Sequence, residues 1–455
     1  MTKQIMSWSS MEIHGRTAAE LFENIRSLVQ TGAAPPGQAL PTVRDLALAL
    51  GLNRNTVSTA YKRLVTAGIA VTQGRLGTVI RAQADAGEQE GSAPGSPLCD
   101  LGGGNPNPVW LPDMHAALSR RPYHPRLYGE AVLDPELEAQ GRHWCTGDCP
   151  EGFELVLTHG AVDAVERLLT THLTAGDRVV VEDPCFISSI NTLRLLDMQA
   201  VGVAVDSQGM QVEALEHALA QGAQAVILTP RAHNPTGCSL TAARAAALRR
   251  VLARYPNVLV IADDHFARLA VTDYHDVIAP TVRRWALIRS VSKMFGPDLR
   301  LAFVACDAHT AQRLRLRLAP GTNWVSHLLQ DAVAACLSSS DIADQLEHAR
   351  RDYAVRRHTL IEALAAEGIA VALPADGLNV WVPLSGNSQQ AVLAAARHGW
   401  LLRGGEAFGV DAPAHGLRVT ISTIDAAGAQ FLARVLGPLV TGDARSRDGM
   451  LHPSP

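Results

Sequence analysis

At 455 residues, 47% of them apolar and 18% charged, the chain is too long for one compact core and has the ordinary globular composition of two or three domains. The first residues, "MTKQIMSWSS", carry no apolar leader and no later run reaches the roughly 18 apolar residues of a membrane span, so a cytoplasmic protein is expected. The net charge of −4 divides unevenly: residues 1–81 hold nine Lys+Arg against four Asp+Glu, or +5, and the rest hold 31 against 40, or −9, so a basic head suited to double-stranded DNA precedes an acidic body.

Residues 15–32 place Leu21, Ile25, Leu28 and Val29 on one helical face and end on Gly32. In "PTVRDLALALG", Thr42 is an N-cap with Asp45 three residues on, and Gly51 is the stop. Asn53 caps a third helix whose buried stripe is Val57, Ala60, Tyr61 and Leu64, before Gly68. "IAVTQGRLGTVIRA" then reads as two short strands around a glycine-containing turn.

On the third helix the face away from the stripe shows Asn53, Arg54, Asn55, Thr56 and Ser58, mostly at its N-terminal end. A recognition helix presents groups to the major groove from that end, with Arg suited to guanine and Asn to adenine. Arg44, Lys62 and Arg63 suit phosphate, while Gly74 lets the turn approach DNA and Arg75 reaches a groove or a phosphate. Each of these alone reads equally well as a solvated surface residue; the order helix, turn, helix and wing is what carries the reading. Residues 15–81 resemble the winged helix-turn-helix domain of the GntR regulator superfamily. The resemblance implies DNA contacts at Arg44, Asn53, Arg54, Asn55, Thr56, Gly74 and Arg75, and some members have an arginine where this chain has Ser58.

Residues 82–99, rich in Ala, Gly, Pro and Ser, read as a flexible linker. Cys145 and Cys149 are the only close pair among seven cysteines, with no second pair to complete a zinc site, so no metal is expected. From about 155 to 306 the runs "RVVVEDP", "AVILTP", "VLVIADD", "ALIRSVS" and "LAFVACD" alternate with helical patterns, which predicts an α/β domain of parallel strands and crossover helices. The large part is expected over about 130–330, a smaller α+β part over 331–440, and a disordered tail over 441–455.

Ligands of open α/β sheets sit beyond the carboxyl ends of the strands, and the residues there meet the four demands of pyridoxal 5'-phosphate. Lys293 follows "ALIRSVS" and is suited to a Schiff base once partly desolvated. Asp263 ends "VLVIAD" and can face the pyridine nitrogen; Arg300 with Ser290 and Ser292 suits phosphate, as do the helix-opening amides of Gly160, Ala161 and Val162. Phe186 in "EDPCF" can stack on the ring, and Asn234 in "HNPTG" can donate to its phenolic oxygen. Taken singly, Lys293 reads as a surface lysine and Asp263 as a helix cap.

Together these motifs resemble the fold-type I aminotransferases over residues 100–440. That resemblance implies Lys293 as the covalent anchor, Asp263 on the ring nitrogen, Phe186 in stacking, Asn234 on O3' and Ser290, Ser292 and Arg300 on phosphate. It further implies that Tyr128 in "LYGE" contacts the phosphate of a neighbouring subunit, hence a homodimer, and that Arg418 in "GLRVTIST" pairs with a substrate carboxylate. Two departures weaken transamination. "DDHFARL" offers His265 and Phe266 where a tyrosine commonly follows the Asp, and "HGAVDAV" lacks the usual hydroxyl after the glycine. Head, linker and body together resemble the MocR group of regulators, and "DDHF" and "SVSK...GPDLR" its PtsJ branch, which is associated with vitamin B6 salvage. This implies a regulator sensing pyridoxal 5'-phosphate or an amino-compound aldimine; the alternative is an active aminotransferase with a DNA-binding head.

Overall fold

The structure, a computed structural model, describes residues 13–73, 77–81, 87–92, 95–122, 124–373 and 375–441. The wing turn expected at Gly74 and Arg75 lies outside these residues, as does the expected tail from residue 442 onward. The chain divides into two compact units, Met1–Gly87 and Glu88–Pro455.

The first unit follows the expected order: α1 (Ala18–Gln30), α2 (Val43–Leu50), α3 (Arg54–Thr66), β1 (Ala70–Gln73) and β2 (Gly77–Ile80). Thr42 caps α2 by accepting from the Asp45 amide at 3.1 Å, and its hydroxyl donates to the Asp45 carboxylate at 2.6 Å. Gly51, at φ +64°, closes α2 in the left-handed region that glycine enters without strain, and Asn53 then caps α3 through the Asn55 amide. Leu21, Ile25, Leu46, Val57, Ala60 and Leu64 form the core of the three helices. The Tyr61 hydroxyl, otherwise stranded in that core, donates to the Pro41 carbonyl at 2.8 Å.

The second unit begins earlier than the expected linker allows. Glu88–Gly91 are hydrogen-bonded to its body, and Cys99–Asp100 is a strand, β3, paired with a strand near residue 400. Polar anchoring and a strand only two residues long leave no apolar periodicity, so composition alone reads this stretch as linker.

The large sheet is built from β4 (Glu154–Thr158), β5 (Arg178–Asp183), β6 (Gln199–Asp206), β7 (Gly209–Met210), β8 (Ala225–Leu228), β9 (Leu259–Asp263), β10 (Arg284–Ser290) and β11 (Ala302–Cys306). Its order is β4-β11-β10-β9-β8-β5-β6-β7. β5, β8, β9 and β10 run parallel as expected, joined by β6, a strand that the sequence reading did not single out. "LAFVACD" corrects the all-parallel expectation: β11 is antiparallel to both β10 and β4. A strand covered on both faces is apolar throughout whichever way it runs, so the pattern could not give its direction. Val179, Val180 and Val181, none more than 1% exposed, are such a run, each worth about 1.5–3 kcal/mol in burial.

The smaller part carries β12 (Asn379–Pro383), β13 (Trp400–Leu401), β14 (Arg403–Gly404) and β15 (Gly416–Thr420), with β12 and β14 flanking β15 and β13 pairing β3. Among the described residues no helix is long and apolar enough to cross a membrane.

Candidate functional site

The register of the large sheet gathers the expected residues at one edge. Ala302 lies opposite both Ser290 and Thr158, and Ile288 lies beside Asp263. Arg300 just before β11, Ser290 at the end of β10, Asp263 at the end of β9 and Gly160 just after β4 therefore face the same end. There a cavity of about 280 Å³ is lined by Ala161, Val162, Phe186, Asn234, Asp263, His265, Ser290, Ser292, Lys293 and Arg300, ten of the residues singled out from sequence.

One end of that cavity is suited to an anion and is built largely around the start of a helix. The helix Ala161–His172 starts at Gly160 without any side-chain cap, so its first amides and dipole are left for an anion. Gly160 holds φ +95°, and a Cβ there would lie 3.2 Å from Arg300 Cζ, so only glycine lets the guanidinium lie against the helix start. Arg300 itself sits in the left-handed region at φ 42°, a conformation that costs a non-glycine residue about 1 kcal/mol or more. Ser290 donates to Ser292 Oγ at 3.0 Å beside it.

The opposite end concentrates buried charge. Lys293 Nζ donates to the Gly104 carbonyl at 2.6 Å; burial lowers its pKa, against the nearby Glu90 carboxylate, which raises it. Asp263 is buried with Oδ1 lacking any hydrogen-bond partner, and burial, with the Asp264 charge, pushes its carboxyl up to about 7. A buried acceptor left unsatisfied is costly, so it points to a donor from outside the chain. Asp264 points away: Arg231 holds it in two bonds of 3.0 and 2.7 Å and Arg289 in a third. Burial raises its carboxyl, but the two arginines outweigh that and leave it below the usual range.

His265 is half-buried on the cavity wall, its imidazole lowered to about 4 by burial and by Lys293. Phe266 is 3% exposed and turned into the core, so it supplies nothing polar. Glu182, at the end of β5, also lines the cavity, 3.3 Å from His233 Nε2. Burial pushes Glu182 up to about 8 and His233 down to about 3, disfavouring the charged form of each.

Two expected side chains are not among those lining the cavity. Tyr128 is 92% exposed, with its ring edge against Trp324, and is no part of the cavity in its own chain. Arg418 is fully buried but not free for an outside carboxylate: its guanidinium grips Glu90 at 2.6 and 2.7 Å. Asn234 is turned to the same pair, accepting from Arg418 at 2.9 Å and donating to Glu90 at 3.3 Å. Sequence reading missed Glu90, which stands in the stretch read as linker, and Glu182, which the strand-end rule would have found.

These residues fit pyridoxal 5'-phosphate: an amine, an acceptor lacking its donor, an uncapped helix with an arginine across it, and Phe186 on the wall.

In the first unit Arg44, Asn53, Arg54, Asn55, Lys62 and Arg63 are exposed, with Thr56 and Ser58 half-buried between them. Asn53–Asn55 stand at the start of α3, the end that enters a groove in helix-turn-helix docking.

Residues 111–436 match the family described as aminotransferase class I and II, and residues 17–80 match bacterial regulatory proteins of the gntR family. The chain is 54% identical over 413 residues to the vitamin B6 salvage pathway transcriptional repressor PtsJ of Salmonella typhimurium strain LT2, which covers 91% of this chain and 96% of that one. It is 28% identical to the HTH-type pyridoxine biosynthesis transcriptional regulator PdxR of Corynebacterium glutamicum, over 76% of this chain and 78% of that one. A solved structure of Pyrococcus horikoshii kynurenine aminotransferase matches with a TM-score of 0.68 at 21% identity, covering 77% of this chain and 93% of that one; this likeness concerns the fold.

Proposed function

Since the chain belongs to the MocR-type regulators, which join a gntR-family head to an aminotransferase class I and II body, we propose that it is a DNA-binding regulator of vitamin B6 salvage whose body senses pyridoxal 5'-phosphate. The observation that carries the cofactor reading is the unpartnered Asp263 Oδ1 in the same cavity as Lys293. When bound, pyridoxal 5'-phosphate supplies an aldehyde for an amine and an electron-withdrawing ring. Lys293, its charged form disfavoured by burial, serves as that amine. Asp263 accepts from the ring nitrogen, Phe186 covers the ring, and Arg300, Ser290, Ser292 and the amides after Gly160 hold the phosphate.

The head reads DNA through Asn53, Arg54 and Asn55, with Arg44 and Lys62 on phosphate. Tyr128, exposed next to Leu127 at 72% exposure, is proposed to reach the phosphate site of a second copy, so the working unit is a homodimer with two heads. Sensing follows if the cofactor binds one arrangement of the dimer better than another. With His265 on the cavity wall and Phe266 turned into the core, the two positions after Asp264 supply no hydroxyl that would tune turnover. The reading predicts at least a tenfold difference in operator affinity with and without pyridoxal 5'-phosphate, measured by fluorescence anisotropy on DNA from upstream of its own gene. Equal affinity would overturn it, and steady turnover of an amino donor with a keto acid would favour the aminotransferase reading instead.

A further inference from the structure

Arg418 is a guanidinium with no exposure to water, so it must hold an anion; a buried charge without one is strongly destabilising. The anion it holds comes from the chain itself. Arg418 Nη1 meets Glu90 Oε1 at 2.6 Å and Nη2 meets Oε2 at 2.7 Å, the paired fork by which arginine recognises a carboxylate. Asn234 completes the seat on one side, and the Gly102 carbonyl accepts from Nη2 on the other. Gly104, at φ +67°, leaves the room: a Cβ there would stand 3.0 Å from Glu90 Oε2. Glu90 and Gly91 line the same cavity as Lys293 and His265.

The segment bearing Glu90 is held by a set of polar contacts. Asn191 donates to the Glu88 carbonyl at 2.7 Å, and Arg403 bonds the Glu88 carboxylate at 2.8 Å and the Gly91 carbonyl at 2.7 Å. The Gly91 amide donates to the Gly103 carbonyl at 3.1 Å. Residues 87–92, "GEQEGS", contain no apolar side chain, so lifting them uncovers no hydrophobic surface of their own and exchanges bonds that water can replace. A carboxylate arriving from outside also replaces a carboxylate, which leaves the charge around Arg418 and Lys293 unchanged.

We infer that Glu90 is an internal occupant of the Arg418 seat, so that a small carboxylate ligand binds there only by displacing residues 88–91, the segment that leads out of the DNA-binding unit. The inference rests on the sensor reading of the body and on the carboxylate-pairing role that the family resemblance implies for Arg418, and it gives that sensor an internal competitor and its first moving part. Lys293 faces the same seat, so an amine on that ligand would lie within the cavity that holds the cofactor.

Maleate, a dicarboxylate with no amine, probes the seat without touching cofactor chemistry. In full-length, cofactor-loaded protein, Glu90→Gln is expected to bind maleate at least tenfold more tightly than the native chain by calorimetry, Glu90→Asp to fall between, and Arg418→Gln to abolish binding. In the native protein, saturating maleate is expected to speed amide exchange at residues 88–91 while leaving α3 unchanged, a readout that needs no variant. Affinities of native chain and Glu90→Gln within twofold of each other, failure of both to bind, or unchanged exchange at 88–91 would each overturn the inference. The sensor reading is judged separately by operator affinity with and without cofactor, and its failure would leave the maleate competition intact.

Discussion

Asn53, Arg54 and Asn55 stand in water at the start of a helix whose shape is set by its own caps and core, whereas Lys293 and Arg418 are withdrawn from water and tied to Gly104 and Glu90, far away in the chain, and Asp263 is buried with Oδ1 unpartnered. An exposed cation keeps its charge whatever its neighbours do, so each contact in the first unit can be altered alone. A buried charge has its state set by what surrounds it, so the groups of the second unit act as a set. The contrast teaches where coupling resides: removing one exposed arginine subtracts one contact, but changing Glu90 alters what both Arg418 and Lys293 face.

The strongest way to break this comparison is Lys293→Ala. It is expected to abolish the absorbance band near about 400 nm that a lysine-linked pyridoxal group gives, with DNA binding by the isolated contacts of α3 retained; a persisting band would remove Lys293 from its role. Asp263→Asn tests the coupling more finely. The folded protein keeps the Asp263 proton up to a pH of about 7, whereas an unfolded chain releases it near about 4. The folded state thus holds the extra proton between those values, and stability falls as pH rises through that window. Relative to the native chain, cofactor-free Asp263→Asn is expected to gain about 2 kcal/mol on going from pH 5 to pH 8 in urea unfolding, and to bind cofactor at least tenfold more weakly. A pH-independent difference would refute the buried-proton account.

On the exposed side, Arg54→Ala is expected to weaken operator binding by about 1–3 kcal/mol, unequally among operator sequences if it reads a base; a uniform loss in anisotropy titrations would make it a phosphate contact. The smallest effect sharpens the separation of the units: Thr42→Ala is expected to cost about 1 kcal/mol in the amide-exchange stability of α2, with the cofactor band unchanged.

The same contrast governs what the sequence could disclose. The helices of the first unit were legible because Thr42, Gly51 and Asn53 act within three residues of themselves, and α1 differs only in starting at Ala18 behind its cap Thr17. The side chains that line the cavity were legible because each follows an apolar run, and strand ends are where ligands of such sheets gather. The direction of β11 was not, since Phe303, Val304 and Ala305 are fully buried and read alike in either sense. Glu90 was not legible either: its meaning depends on Arg418, 328 positions away, and nothing in "GEQEG" distinguishes a carboxylate bound to the body from one dissolved in a linker.

The attachment at Glu88 also sets a length. From Arg81, just past β2, to Glu88 the chain makes seven residue steps, and from Arg81 to Cys99, where β3 begins, it makes eighteen. Fully extended, these spans reach at most about 25 Å and about 60 Å. Paired DNA-binding heads meet half-sites about one helical turn, roughly 34 Å, or a multiple of it apart. If residues 88–91 lift as proposed, the span open to the chain between β2 and the body passes from below one turn of the double helix to above it.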